Sequence, residues 1–149
     1  MRCYFAYGSN LWLEQMRQRC PDHQVLGPGV LTGHRWIITS RGYANVVLSA
    51  ADLVLGVVYR ISATDEERLD RFEGVAQGAY RKAVLPVETA QGTLSCLIYL
   101  DWQEQEGEPC EEYVQRMRYG IRDARLPSLY LERYLDKVTL EPALYAVAS

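Results

Sequence analysis

The sequence lacks the residue patterns of a metal centre, a disulfide-stabilised fold and a membrane span. Its only two histidines, His23 and His34, have no third ligand near them, so we predict no zinc site. The four cysteines show neither short pairing nor metal-ligand spacing, which is typical of reduced cytoplasmic thiols. No apolar run approaches the roughly 20 residues of a membrane helix, and the stretch after Arg2 is too short for a secretory signal. We therefore expect a cytoplasmic protein without metal or membrane.

Clustered cations of the kind that bind nucleic acid are also scarce. The formal net charge is −3, whereas proteins of that class carry a basic patch. Arginines gather only late in the chain, where acidic residues are interleaved with them. We interpret this segment as an ion-paired, solvent-exposed helix surface and predict no nucleic-acid partner. The segment contains Arg116, Arg118, Arg122, Arg125 and Arg133, with Asp123, Glu132 and Asp136 among them.

Several well-known catalytic and cofactor motifs are missing as well. The sequence has no Walker A motif and no G-x-G-x-x-G, so we predict no nucleotide cofactor. Ser9 lies in a Gly-Ser-Asn turn without the second glycine of a hydrolase nucleophile motif, and Cys3 has no histidine near it in sequence. The chemistry that remains possible needs one general acid or base and backbone hydrogen-bond donors, without a cofactor.

The hydrophobic pattern predicts a buried strand over residues 2–7, then a turn at Gly8-Ser9-Asn10, where Ser9 or Asn10 caps a helix over 11–20. Gly27-Pro28-Gly29 is interpreted as a breaker of regular secondary structure. A helix begins with the capping-box pair Thr64 and Glu67 and ends at Gly74. Its short apolar face consists of Leu69 and Phe72. The remaining predicted elements are strands at 30–39, 44–48, 53–61, 80–88 and 93–100, and helices from Pro109 to Leu126 and over 129–138.

This order of elements is neither a regular βαβ alternation nor an all-β pattern. It predicts an α+β fold, in which a mixed β-sheet or closed barrel is flanked by helices. The length of 149 residues fits one domain spanning residues 1–149. Trp12, Trp36 and Trp102 are candidates for an interface or for the core, and we expect a monomer or a homodimer.

Glu73 lies in an unfavourable local environment. It follows Phe72 at the C-terminal end of a predicted helix, where the helix dipole opposes a negative charge. If the site is buried, the helix dipole and the apolar neighbours both raise the pKa of its carboxyl towards a value suited to proton transfer. A solvated glutamate at a frayed helix end is the alternative interpretation of the same pattern.

Two motifs together resemble the γ-glutamylcyclotransferase family. They are YFAYGSNL at residues 4–11 and LDRFEGVAQGAY at residues 69–80. The sequence GVVYRIS at residues 56–62 is similar to the family's strand before the helix that carries its catalytic glutamate. Tyr113, followed by Gly120 and Leu126-Pro127, resembles its C-terminal helical segment. The similarity follows the family's order along most of the chain and is weakest over residues 21–43.

The resemblance implies a reaction that needs no water and no cofactor. The α-amino group of a γ-glutamyl amide attacks its own γ-carbonyl, closes the lactam 5-oxoproline and expels an amine or amino acid. Because the nucleophile is part of the substrate, much of the entropic barrier is already removed. By its position in the motif, Glu73 corresponds to the general base and acid. The family's substrate-binding positions correspond to Tyr4, Phe5, Ala6, Tyr7, Gly8, Ser9, Asn10 and Tyr113.

The resemblance leaves the leaving group and two other function classes open. The glutathione-specific branch of the family reads Y-G-S-L, whereas this chain has Asn10, which favours γ-glutamyl amino acids or γ-glutamylamines as substrates. A non-catalytic module of the same fold would bind a γ-glutamyl-like ligand without forming a product. A general amide hydrolase would release glutamate instead of the lactam.

Overall fold

The computed structural model describes residues 1–139, which form five strands, four α-helices and one short 3₁₀ turn. The predicted mixed α+β barrel flanked by helices is confirmed. In chain order the elements are β1 (Arg2–Ala6), the 3₁₀ turn (Ser9–Leu11), α1 (Leu13–Arg19), β2 (Gln24–Ile38), β3 (Ala44–Ile61), α2 (Ala63–Phe72), β4 (Tyr80–Thr89), β5 (Gly92–Asp101), α3 (Glu111–Ala124) and α4 (Ser128–Tyr134).

The five strands close a barrel in the order β1-β3-β2-β4-β5. The pairs β1–β3, β2–β3 and β4–β5 are antiparallel, and short connections join β2 to β3 and β4 to β5. The barrel closes where β5 meets β1 in parallel, with Tyr4 opposite Leu97. Closure leaves β1 between two neighbours, which explains why its last three residues are buried and apolar. The end of β1 therefore delivers the following turn to a fixed place beside β5.

The predicted boundaries of the second and third strands were wrong. Gly27-Pro28-Gly29 does not break the chain but lies inside β2, where a bulge at Gly27 absorbs the irregularity. The segments predicted as two strands, 44–48 and 53–61, belong to the single strand β3. The turn-like residues between them coincide with a slip in the register against β2 between Thr32 and His34. Glycine and polar residues therefore mark irregular pairing here instead of the ends of strands.

The first two helices begin differently from the prediction. Neither Ser9 nor Asn10 caps α1, which starts after Trp12 without a side-chain cap. In α2 the capping box is formed by Ser62 and Asp65 instead of Thr64 and Glu67, because the helix starts two residues earlier than predicted. Leu69 of α2 is fully buried, as predicted, but Phe72 is 55% exposed and does not belong to the core. This exposed ring becomes important for the pocket described below.

The C-terminal helices match the prediction in position but not in length. Buried residues of α3 include Tyr113, Met117 and Ile121, which form the predicted apolar face. The final helix ends at Tyr134 and not at Val138, and the chain continues in a turn. Within residues 1–139, no helix is long and apolar enough to cross a membrane, and no cluster of potential metal ligands occurs.

The tryptophans and cysteines divide between core and surface. Trp36 is buried, Trp12 stacks on Tyr119 with ring centroids 4.8 Å apart, and Trp102 is 63% exposed. All four cysteines are free thiols, and Cys20 and Cys96 are fully buried. Burial raises the pKa of Cys20 to about 12 and that of Cys96 to about 11, so both thiols stay protonated at neutral pH.

Phe5 fills the barrel next to two glycines on neighbouring strands. A Cβ atom at Gly56 would meet the carbonyl oxygen of Ala6 and lie 2.8 Å from the Phe5 ring, and one at Gly29 would lie 3.2 Å from the same ring. Because glycine has no side chain at these two positions, β1 can approach β3 closely while the Phe5 ring remains inside the barrel. This packing fixes the height at which β1 ends and the turn at residues 8–10 begins.

The substitution Gly56→Ala should destabilise the fold strongly. Because the added methyl group meets the backbone of β1, which is held on both sides, we expect a loss of at least about 2 kcal/mol. Gly33→Ala is the matched control: its site in β2 is open, so only the positive φ of 75° opposes alanine and the loss should be about 1 kcal/mol. Urea denaturation of both variants measures the difference, and equal losses would contradict the packing argument.

Candidate active site

A cavity of about 360 Å³ opens where the end of β1, the C-terminal ends of α1 and α2 and the middle of α3 meet. Its volume is in the range of small-molecule sites. The wall combines one carboxylate, three arginines and six tyrosines. These residues are Glu73, Arg19, Arg41, Arg116, Tyr4, Tyr7, Tyr43, Tyr80, Tyr99 and Tyr113, together with Phe5, Gly8, Ser9, Asn10, Ala44, Phe72, Gly74 and Ala79.

The turn after β1 packs directly under the hydroxyl of Tyr113. A Cβ atom at Gly8 would lie 2.6 Å from the Tyr113 oxygen, so only glycine fits at this position. The backbone N–H of Ser9 donates a hydrogen bond of 3.2 Å to the same oxygen. Two of the predicted site segments, which are 104 residues apart in sequence, are thus joined by one hydroxyl group.

Two further backbone donors of this turn are free to meet a ligand. The carbonyls of Gly8 and Ser9 accept bonds from the next residues of the turn, as in an ordinary 3₁₀ helix. The N–H groups of Gly8 and Asn10 have no hydrogen-bond acceptor among residues 1–139. Unpartnered N–H groups at a helix N-terminus attract anions and oxygen atoms that develop negative charge. That this turn binds a ligand stays a prediction.

A buried polar network behind the turn holds it in place. Gln15 of α1 donates to the Ser9 hydroxyl at 2.9 Å and to the Asn10 side-chain oxygen at 2.7 Å. The Asn10 side chain in turn donates to the Tyr4 hydroxyl at 2.9 Å. Arg116 reaches the Gln15 side-chain oxygen at 3.3 Å. These bonds connect the turn to α1 and α3 and hold it in place, and only the buried Nε of Arg116 lacks a partner among the buried side-chain polar atoms of residues 1–139.

Glu73 is placed by the end of α2. Its N–H bonds to the Leu69 carbonyl at 2.8 Å, and Gly74 then turns the chain away with a φ of 63°. Arg68 of the same helix donates to the Arg19 carbonyl at 2.9 Å, which joins the C-terminal ends of α1 and α2. These contacts bring Glu73 and Arg19 to the same cavity although they are far apart in sequence.

The Glu73 carboxylate has no hydrogen-bond partner in the described part of the chain, although the residue is mostly buried. Burial raises the pKa of Glu73 from about 4.5 to about 7, and Asp101 adds to the rise. The positive charges of Arg19, Arg116 and Arg41 oppose it and keep the pKa of Glu73 from rising further. The result is a carboxyl that can accept and release a proton near neutral pH.

The tyrosines form a rigid wall whose hydroxyls are bound to the scaffold. Tyr7 donates to the Tyr99 carbonyl at 2.6 Å, Tyr80 to the Ala44 carbonyl at 2.9 Å and Tyr99 to Asp70 at 2.7 Å. Burial raises the pKa of Tyr113 to about 12, so its phenol stays protonated at neutral pH. The tyrosines therefore exclude water and shape the cavity, while Glu73 titrates near neutrality.

The three arginines of the cavity were missed as site residues. Arg116 belongs to the segment interpreted as a solvent-exposed surface, and it does pair with Glu112 at 2.8 Å, but its guanidinium also lines the cavity. Its position three residues after Tyr113 on one helix was the available signal. For Arg19 and Arg41 no local pattern marked a site, because they reach the cavity through tertiary packing.

The structure gathers most of the predicted site residues around one cavity. Glu73, Tyr4, Gly8 and Tyr113 all line it, as do Phe5, Tyr7, Ser9 and Asn10. Ala6 does not line the cavity and lies in the ladder between β1 and β3. The side chains of Ser9 and Asn10 face the network behind the turn and support the cavity wall, whereas the Ser9 N–H binds the Tyr113 hydroxyl.

The sequence is similar to curated γ-glutamylcyclotransferases. The mouse protein of that name is 31% identical over 144 residues, which cover 87% of this chain and 75% of the mouse protein. The human protein of the same name is 30% identical over 141 residues, with the same coverage. A sequence model of the AIG2-like family matches residues 53–134, which include every element from α2 to α4.

The fold is similar to solved structures as well. A structure named gamma-glutamyl cyclotransferase superimposes with a TM-score of 0.80 at 28% identity, covering 89% of this chain and 85% of that one. YkqA from Bacillus subtilis superimposes with a TM-score of 0.70 at 27% identity, covering 80% of this chain and 48% of YkqA. The similarity therefore extends over the barrel and the helices that surround the cavity.

Removing the Glu73 charge should stabilise the protein at alkaline pH. The folded chain holds a proton that the unfolded chain releases above a pH of about 4.5, so stability falls as the pH rises from 4.5 to 7. At pH 8 we expect the free energy of unfolding of Glu73→Gln to exceed that of wild type by about 1–3 kcal/mol after solvent screening, so that the variant unfolds at a higher temperature. At pH 4 the two proteins should unfold at similar temperatures.

Glu67→Gln is the matched control because Glu67 is an exposed carboxylate of the same helix. Calorimetry at both pH values should show little change for this variant. If Glu73→Gln gained no stability at pH 8, the Glu73 carboxyl would not be desolvated as described.

Proposed function

Because the chain belongs to the γ-glutamylcyclotransferase family of enzymes, we propose that it converts γ-glutamyl amides into 5-oxoproline and a free amino acid or amine. Glu73 serves as the general base and acid, and the backbone of the turn at residues 8–10 binds the γ-glutamyl group. The observation that supports this proposal is the Glu73 carboxyl, which has a pKa raised to about 7 and no hydrogen-bond partner among residues 1–139.

In the first step, the Glu73 carboxylate removes a proton from the substrate's α-ammonium group. The free amine then attacks the γ-carbonyl carbon and forms the C–N bond of the five-membered ring. The carbonyl π electrons move to oxygen, which becomes an oxyanion. An acid with a pKa near 7 suits this step, since it is ionised often enough to accept the proton and acidic enough to return it.

In the second step, the oxyanion collapses and the bond to the leaving nitrogen breaks. Glu73 donates its proton to that nitrogen as it departs and takes the second proton from the new ring nitrogen. Transfer of this proton to the released amine restores the carboxylate. The reaction consumes no water and changes no oxidation state.

The turn supplies hydrogen-bond donors for the negatively charged groups of the substrate. The free N–H groups of Gly8 and Asn10 suit the α-carboxylate of the γ-glutamyl group or the oxyanion that develops on its carbonyl. Tyr113 holds the Ser9 N–H at 3.2 Å and bounds the same space. We assign the family's substrate-binding role to this turn and to Tyr113, with Tyr4, Phe5 and Tyr7 forming the wall behind it.

The products separate this proposal from the two alternative function classes. A hydrolase of the same amide would yield glutamate, whereas the cyclotransferase yields the lactam with a mass lower by one water. A binding module would yield neither. The unpaired Glu73 carboxyl favours an enzyme, since a site that only binds an anionic substrate gains nothing from a second carboxylate beside it. A cytoplasmic location, a monomer or homodimer and the absence of nucleic-acid binding stay predictions.

The substitution Glu73→Gln should abolish turnover. Glutamine is similar in shape but cannot take a proton from the ammonium group, so we expect kcat to fall by at least about 10³-fold. The measurement is the release of 5-oxoproline from γ-glutamyl-alanine, followed by mass spectrometry. Glu67→Gln on the same helix should retain wild-type turnover. An active Glu73→Gln variant would contradict the assignment of Glu73 as the general base and acid.

The pH dependence of the wild-type reaction should report the same carboxyl. Because Glu73 must be ionised in the free enzyme, kcat/KM should reach a plateau above a pH of about 7 and fall about tenfold per pH unit below it. An exposed carboxylate as base would move this limb to a pH near 4.5. Stopped assays between pH 5 and 9 distinguish the two values.

A further inference from the structure

The three arginines of the cavity differ in how their charges are balanced. Arg41 is paired with the buried carboxylate of Asp101 at 2.7 Å, and Arg116 is paired with Glu112 at 2.8 Å. Arg19 forms no ion pair with any carboxylate in residues 1–139. Within the described residues, Arg19 is therefore the one arginine of the cavity that is not held in a salt bridge.

The Arg19 guanidinium is nevertheless held in a defined position. Its central carbon lies 4.6 Å from the centroid of the Phe72 ring, which supports the flat face of the guanidinium. One of its nitrogens donates to the Asn10 side-chain oxygen at 3.2 Å. Its other N–H donors have no acceptor within the described residues. A guanidinium fixed in this way loses little freedom when it binds a carboxylate through two hydrogen bonds.

The position of Arg19 relative to Glu73 indicates which part of the substrate it meets. Both residues line the same cavity, and the Arg19 guanidinium lies 4.6 Å from the centroid of the ring of Phe72, which directly precedes Glu73 in the chain. Phe72 is 55% exposed and marks the mouth of the cavity next to Arg19. In the proposed reaction Glu73 gives its proton to the leaving nitrogen, so the departing amine must come within reach of Glu73 and therefore close to Arg19.

We propose that Arg19 is a specificity-determining residue, whose guanidinium, supported by Phe72, binds a carboxylate carried by the departing amine. γ-Glutamyl amino acids then react faster than γ-glutamylamines that lack this carboxylate. The inference rests on the proposed cyclotransferase activity, which left the choice between the two substrate classes open. The free backbone donors of the turn remain available for the α-carboxylate of the γ-glutamyl group.

A matched pair of substrates tests this inference. γ-Glutamyl-alanine and γ-glutamyl-ethylamine have the same scissile bond and the same carbon attached to the leaving nitrogen, and they differ by one carboxylate. We expect wild-type kcat/KM to be about 10–100-fold higher for γ-glutamyl-alanine, which is the range of a charge-assisted hydrogen-bonded pair. An equal or lower value for γ-glutamyl-alanine would overturn the proposal, and this arm needs no variant.

The variant Arg19→Gln should remove most of the preference. We expect kcat/KM for γ-glutamyl-alanine to fall at least tenfold more than for γ-glutamyl-ethylamine, so that the ratio approaches about 1–3. Arg17→Gln is the control, because Arg17 lies on the same helix, is 67% exposed and pairs only with Glu14. It should keep the wild-type ratio. An equal fall for both substrates in Arg19→Gln would show that Arg19 acts on the γ-glutamyl group or on the fold, and would also overturn the proposal.

Failure of the specificity proposal is distinguishable from failure of the proposed function. If wild type releases 5-oxoproline from neither substrate, the cyclotransferase activity itself is wrong. If it releases the lactam from both without preference, the activity stands and only the role of Arg19 is wrong. Circular dichroism and the unfolding temperature of each variant confirm that the substrate ratio is measured on folded protein.

Discussion

The desolvation of one carboxyl group is the constraint that the rest of the cavity serves. Glu73 lies at the end of α2, its carboxyl has no hydrogen-bond partner in the described part of the chain, and burial raises its pKa to about 7. Two opposing effects set this value, because the aromatic wall excludes water while Arg19, Arg116 and Arg41 favour the charged form. Without the wall the carboxyl would be a weak base, and without the arginines it would hold its proton too firmly. The function requires both, which explains why tyrosine and arginine dominate the lining.

The barrel contributes by fixing the distance between Glu73 and the turn. Phe5 sits beside Gly29 and Gly56, so β1 lies at a defined depth and ends at a defined height. The capping box of Ser62 and Asp65 fixes the start of α2, and the length of the helix then determines where Glu73 lies. The two halves of the site are placed by separate elements, and the Tyr113 hydroxyl over Gly8 brings α3 onto the turn.

Sequence reasoning found the parts of the site that local rules mark. Glu73 was visible because a carboxylate at a helix C-terminus opposes the dipole, and Gly8 because a turn interrupts a buried strand. Arg19 and Arg41 were not visible, since the ends of α1 and of the β2–β3 connection reach the cavity only after the barrel closes. The continuous β3 was missed for a related reason: pairing with β2 overrides the polar residues near Ser49.

The buried glutamine behind the turn shows how these requirements combine. Gln15 is 6% exposed, and its amide satisfies Ser9 and Asn10 as a donor and Arg116 as an acceptor. An apolar residue of the same size would remove one hydrogen bond from each of these three groups, and their remaining bonds to Arg116, Arg19 and Glu112 are made by arginine side chains. Loss of buried hydrogen bonds is destabilising. A carboxylate would add a negative charge near Glu73 and raise its pKa further. A neutral group that both donates and accepts hydrogen bonds therefore satisfies the turn without adding a second negative charge to this region.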